Sequence, residues 1–452
     1  MNATDNVSKA IIENPLTAIG LNKDGLADIK RSWDMTEKYT SMLKAGLLFL
    51  CLFSGAVQAQ NYYVCNNGDN SNSGLSPFEP WSTYDYAMSK FGALNAGDAI
   101  LFCRGGTFTS SYPRLFNQHC TPDAPCTIAD YIPPNGPSGN NNSSNSNSCT
   151  DILPVISSSG ANGVLNFQDG GPADHDEGYV VRNLSLKGNG SGNGIFLFND
   201  VDYVTVEGVT IDGFSIGMYS AGANAPNPGA NQVNEHIVLR NSSIINNKGQ
   251  GWLGGCNDCL IHNNKFTNNG FERKIFNHNI YIGGKDNYGI TVSNNTLYKA
   301  AIVEGKCYGV SLVVHGVVTD LTIKNNTVYE DLGAAHQTCW GISVDPGYAS
   351  EESFSNVVIA DNKVTNVGNI GIGCASCTDL RIIDNTITHS QDFGFVGIKV
   401  PVRTEDTVKS DRIEITGNYI ELLDTNNRGK EGIVVNVTGD VNVGSNEVII
   451  LE

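Results

Sequence analysis

The chain has 452 residues, with 46 acidic against 28 basic side chains, a formal net charge of −18 and only 16% charged residues. That acidity excludes the basic footprint a nucleic-acid partner requires, and the low charge density excludes a solvated, disordered chain. Abundant glycine and asparagine beside periodic Val, Ile and Leu describe instead an all-β protein rich in turns.

The first element is a targeting segment. Met42 opens MLKAGLLFLCLFSGAVQAQ, with Lys44 ahead of an apolar run from Ala45 to Phe53 and Val57-Gln58-Ala59 before Gln60. A basic start, a short apolar stretch and a small-x-small end mark a secretory signal, too short to span a bilayer. Residues 42–59 are expected to be cleaved. Residues 1–41 are expected to be a leader upstream of the true initiator, Met35 or Met42. The mature part, 60–452, is expected to be one monomeric domain, secreted or periplasmic, with no membrane insertion.

Export permits disulfides, and eleven of the twelve cysteines follow Ala59. Cys65, Cys103, Cys120, Cys126 and Cys149 are expected to pair among themselves. CNDC (Cys256, Cys259) and CASC (Cys374, Cys377) lack the βαβ context of a redox motif and are expected to be local staples. Residues 60–110 read as strand, Gly/Asn/Ser loop, short helix from about Thr83 to Leu94, turn and strand.

From residue 180 one plan recurs: VVRNLSL (Asn183), VLRNSSI (Asn241), LIHNNKF (Asn264), TVSNNTL (Asn295), TIKNNTV (Asn326), VIADNKV (Asn362), RIIDNTI (Asn385), EITGNYI (Asn418) and NVGSNEV (Asn446). VTVEGVTI fits with Gly208 in the asparagine position, and the intervals run from 23 to 36 residues. Each interval holds a further short strand, such as HNIYIGG or WGISVDPG. Two or three short strands per repeat cannot bury a face alone, but stacked coils share one apolar column. The predicted fold is an all-β, right-handed parallel β-helix of about ten coils, with residues 60–110 as the cap that shields its open end. At each bend asparagine tolerates left-handed backbone, and its side chain is expected to point inward and bond to the equivalent amide one coil away. Cys307 and Cys339 precede equivalent strands and are expected to join successive coils.

The stretch 62–108 resembles the opening of secreted β-helix proteins of the pectate-lyase-like superfamily. Tyr63, Gly68, Asp69, Asn72, Gly74, Pro80, Trp81, Gly97, Asp98, Gly105 and Phe108 carry the resemblance. It implies the solenoid fold and action on polysaccharide. It leaves the chemistry open, since the family includes uronate lyases, glycoside hydrolases, epimerases and non-catalytic surface proteins.

Strand alternation locates the candidate chemistry. With Ile280 and its equivalents inside, the next residues outward are Phe196, Tyr219, Leu253, Tyr281, Val313, Ser343, Gly373, Lys399 and Val434. A second outward column runs through Gly283, His315, Asp345, Ala375 and Pro401. Abstraction of the proton beside a uronate carboxylate needs a base, a cation for the carboxylate and a donor for the leaving oxygen. His315, Lys399, Tyr281 and Arg403 are the catalytic candidates. Lys285, His278, Asp345 and Trp340 are the substrate-binding candidates, with Asp345 able to orient His315 or hold a cation. Ca²⁺ is the one cofactor such a reaction would call on. The expected function is a polysaccharide lyase acting on an acidic, uronate-containing polymer. The alternatives are a carbohydrate-binding protein without catalysis, a C5-epimerase, or a glycoside hydrolase using loop acids such as Asp286 and Glu352.

Overall fold

A computed structural model of the chain describes residues 59–134, 152–169, 177–222 and 233–452. The signal and leader, Cys149 and the polar loop around it lie outside the described residues. Short strands alternate with tight corners, and apart from one antiparallel two-residue pair every strand pairing is parallel, each strand bonded to its counterparts one coil before and one coil after. They stack into three faces. Face A includes Asn193–Phe198, Ile216–Ala221, Gln250–Gly254, Ile280–Tyr288 and Ile342–Val344. Face B includes Asp202–Glu207, Leu260–His262 and Cys377–Ile383. Face C is, among the described residues, a sheet of twelve strands from Thr107–Ser110 to Glu447–Leu451. The fold is a parallel β-helix.

The core follows from the register. On face A, Ile195, Met218, Trp252, Ile280, Leu312, Ile342, Ile372 and Ile398 are partners in one inward file. On face C, Ile211, Ile244, Phe266, Leu297, Val328, Val364, Ile387 and Ile420 form another. All are fully buried. No residue of these files has enough apolar neighbours within its own coil, so the hydrophobic gain comes from stacking.

The asparagine plan is present, but its two tasks fall on two consecutive residues. Asn263, Asn294, Asn325, Asp361 and Asp384 take the left-handed backbone, with φ of 54°, 57°, 57°, 56° and 55°. The next residue turns inward. The side-chain amide of Asn264 donates to Asn295 Oδ1 at 3.0 Å, and the Asn264 backbone N–H donates to the same oxygen at 2.9 Å. The file continues through Asn326, Asn362, Asn385, Asn418 and Asn446. Asn183, Gly208 and Asn241 occupy the left-handed position, one residue before the ladder, and Ser242 takes the inward place in its coil. The three earliest repeats were therefore aligned one residue out of step.

At the amino-terminal end the expected helix from Thr83 to Leu94 is two pieces, Tyr84–Met88 and a single 3₁₀ turn, Phe91–Ala93. Ser89 Oγ donates to Tyr86 O at 2.6 Å, a local bond that competes with helix continuation. Tyr84 Oη donates to Val164 O at 2.9 Å, and the Phe91 ring meets Phe167 and Tyr179 edge-on. Disulfides Cys65–Cys103 and Cys120–Cys126 secure this region. Cys256–Cys259 and Cys374–Cys377 are local staples, and Cys307–Cys339 joins adjacent coils.

Candidate functional site

The outward column predicted on face A is continuous in the register, Phe196–Tyr219–Leu253–Tyr281–Val313–Ser343–Gly373–Lys399–Val434. His315 stands opposite Gly283 in the neighbouring file. The large residues of this surface border an open groove of about 800 Å³, whose lining includes Tyr219, Tyr281, Lys285, His315, Tyr348 and Glu352.

His315 and Tyr281 form its centre. Their rings meet edge to face with centroids 5.5 Å apart. His315 Nδ1 lies 2.5 Å from the Asp345 carbonyl oxygen, an acceptor only, so Nδ1 carries a proton and Nε2 is the basic nitrogen. Asp345 thus orients His315 through its backbone. Its carboxylate accepts from Ser343 Oγ at 2.7 Å and faces Arg403 Nη1 at 3.6 Å. Burial raises the Asp345 carboxyl above the ordinary range, against the opposing pull of Ser343, His315 and Arg403. Burial also drives the Tyr281 phenol far above 10, helped by Tyr348 and Glu352, so it keeps its proton at every working pH. Gly283 is required beside it, because a Cβ there would sit 2.6 Å from the Tyr281 ring.

Lys285 is exposed on the groove wall. Three other candidates are placed differently from the expectation. His278 is buried behind Tyr281, its ring stacked on the phenol at 5.7 Å, and its Nδ1 is 3.1 Å from both the N–H and the carbonyl of Val310. Burial pulls it down to about 3, so it is a neutral prop for Tyr281 and does not face substrate. Arg403 is held by Asp345, Glu405 and Asp406 and donates to Pro346 O at 2.9 Å. Three carboxylates already match its charge, which leaves it a structural clasp. Lys399 lies three coils from Val313, about 14 Å along the axis at ~4.8 Å per coil, too far to share one reacting sugar carbon with His315. With Trp340 it lines a separate hollow of about 130 Å³.

Tyr348 escaped the sequence reading. It is 74% exposed, sits in the loop between Asp345 and Ser353, and brings its ring edge-on to His315 at 5.6 Å. Only the loop length hinted at it. Glu352, on the same loop, accepts from Gly347 N at 2.6 Å. Among the described residues the one group of three or more His, Cys or acidic side chains with ligand atoms within 4.8 Å is Cys307, Glu330 and Cys339, and its two sulfurs are spent in a disulfide.

The architecture is that of the parallel β-helix proteins. No family model and no curated protein matches the sequence. Among solved structures it is similar to the A-module of the Azotobacter vinelandii mannuronan C-5 epimerase AlgE6, at 13% identity and a TM-score of 0.51, over 81% of this chain and 95% of that one. The A-module of AlgE4 from the same organism gives 15% identity and 0.50, over 80% and 95%. A complex of XylC with xylose gives 8% and 0.53, over 80% and 75%. At these identities the likeness is one of fold. Five disulfides fit an extracellular protein; no helix among the described residues is long and apolar enough to cross a membrane.

Proposed function

We propose that the protein is a secreted or periplasmic, monomeric carbohydrate-active enzyme that cleaves an acidic, uronate-containing polysaccharide by β-elimination in the Tyr281–His315 groove. The observation that carries this reading is the pairing of a tautomer-fixed histidine with a permanently protonated tyrosine in ring contact on an open groove. His315 Nε2 takes the proton from the carbon bearing the carboxylate. The electron pair forms the double bond as the glycosidic C–O bond breaks, and Tyr281 Oη gives its proton to the leaving oxygen. Lys285 meets the carboxylate whose charge rises in the enolate-like transition state. The epimerase modules that share the fold are named for a reaction at the same kind of carbon, which supports proton abstraction as the first step.

The test is to incubate the mature protein with alginate, pectate and neutral xylan and to follow the ultraviolet absorbance of unsaturated sugar ends, with and without added Ca²⁺. Signal from a uronate polymer that His315→Ala abolishes is the expected result. No signal from any uronate polymer, with or without Ca²⁺, refutes the lyase. Saturated reducing ends would transfer the chemistry to Asp286 and Glu352, the carboxylates of the same groove.

A further inference from the structure

The second hollow on face A has no part in that reaction. Its walls are Trp340, Asp345, Gly373, Lys399, Pro401 and Arg403. The Lys399 side chain is half-buried and makes no hydrogen bond or ion pair with any described residue, in a protein whose acidic side chains outnumber basic ones by 46 to 28. Arg403, its neighbour, is already matched by carboxylates. Trp340 Nε1 is buried and also has no hydrogen-bond partner. A cation short of a counter-ion thus lines one small hollow beside Trp340, whose buried indole N–H is also short of an acceptor. An unmet cation in a partly desolvated place is costly, and an anionic oxygen in the hollow would satisfy it. Gly373 keeps the place open. It lies between Ser343 and Lys399 in the outward column, and a Cβ there would make only ordinary contacts, the nearest 3.5 Å from Ile370, so no steric demand of the backbone accounts for the missing side chain.

We infer that this hollow is an anion subsite, in which Lys399 Nζ holds the carboxylate of a sugar that packs beside Trp340, about three coils along face A from the Tyr281–His315 centre. The inference rests on the proposed action on acidic polysaccharide and deepens it. The carboxylate bound here belongs to a different sugar from the one that reacts. Lys399 is thereby a determinant of chain length and charge and takes no part in proton transfer. A short acidic oligosaccharide fills the groove alone, while a longer one reaches both places.

The experiment measures the affinity of acidic oligosaccharides of graded length (oligogalacturonates and oligomannuronates) and of neutral xylo-oligosaccharides for the mature protein. Wild type, Lys399→Met, Lys399→Arg and Trp340→Phe are compared by titration calorimetry, with kcat and KM wherever cleavage occurs. Lys399→Met keeps the aliphatic stem and removes the charge. It should weaken long acidic oligomers about tenfold or more, through KM with kcat unchanged, and leave disaccharides and neutral chains unaffected. Lys399→Arg should retain most of the affinity, and Trp340→Phe should lose a smaller share. Equal affinity of wild type and Lys399→Met for every acidic length overturns the subsite and leaves the groove reading standing. A wild type that binds acidic and neutral chains equally also overturns it. A wild type that binds no acidic chain overturns both, and that failure is recognised by the silent wild-type titration.

Discussion

Replacing Asn326 by alanine tests the inner ladder directly. Its side chain accepts from the Asn295 backbone N–H at 2.9 Å and from Asn295 Nδ2 at 3.0 Å, and donates to Val292 O at 2.9 Å and Asn362 Oδ1 at 3.0 Å. Alanine removes all four bonds at a position only 1% exposed. At about 1 kcal/mol net per bond the loss is roughly 4 kcal/mol, since no water reaches the partners left behind. Asn446 also makes four such bonds but stands half-exposed in the last coil. Water can replace much of what Asn446→Ala removes, so its cost should be about 1–2 kcal/mol. Asn325, next door, serves only the left-handed corner, so Asn325→Gly should change stability by no more than about 0.5 kcal/mol. Equilibrium guanidinium unfolding of the three variants gives the comparison, and amide exchange across Thr291–Val328 reports local opening of the coil. An Asn326→Ala variant no less stable than Asn446→Ala would refute the ladder as a major source of stability.

Tyr281→Phe should lower kcat on a uronate polymer by about 10²–10⁴ with an unchanged circular dichroism spectrum, because the ring packing survives and only the proton donor goes; a loss below tenfold would remove Tyr281 from proton transfer. His278 and His389 are each pulled down to about 3, mainly by burial, so the folded state holds them neutral where the unfolded chain protonates near 6.5. The unfolded state then binds more protons, and the stability they support is whole above about pH 6.5 and lost as pH falls toward 3, by up to about 1.4 kcal/mol per pH unit for each. Denaturant midpoints that do not fall on acidification from pH 6.5 to about 4 would contradict this. Glu330 carries the opposite sign: burial lifts it to about 8, so its ionisation in the unfolded chain costs stability as pH rises from about 4.5. Glu330→Gln should stabilise the protein by about 2–3 kcal/mol at neutral pH relative to its effect at pH 4.5, and equal midpoint shifts at the two pH values would argue against a buried neutral carboxyl.

What could be read without coordinates was whatever the coil period imposes. Ile280, Leu312 and Ile342 point inward because strand alternation leaves them no alternative, and the same rule put Tyr281, Ser343 and Lys399 on one outward file. The coil-joining Cys307–Cys339 pair followed from the same register. Corners were less legible. In LIHNNKF two adjacent asparagines conceal two separate tasks, and in VVRNLSL the inward partner is not asparagine at all, so the pattern slid by one residue. Loops were least legible, because nothing periodic governs them. Asp406 is buried and lies 3.1 Å from Arg403, which converts an apparent catalytic cation into a clasp. Tyr348 reaches His315 from a loop whose length alone was visible. His278 lies two residues before the strand Ile280–Tyr288, where the chain is still turning and alternation does not yet decide its side.

Ladder partners stand 31, 31, 36, 23, 33 and 28 residues apart, yet their amide bonds differ by no more than 0.2 Å. Every extra residue is therefore absorbed outside the spine. Two of the longest spans contain the segments bearing Tyr348 and Arg403, beside the two hollows. Insertion and deletion can thus redraw what the surface grips while the load on the interior stays constant. A change in what the two hollows hold therefore need not disturb a single ladder bond.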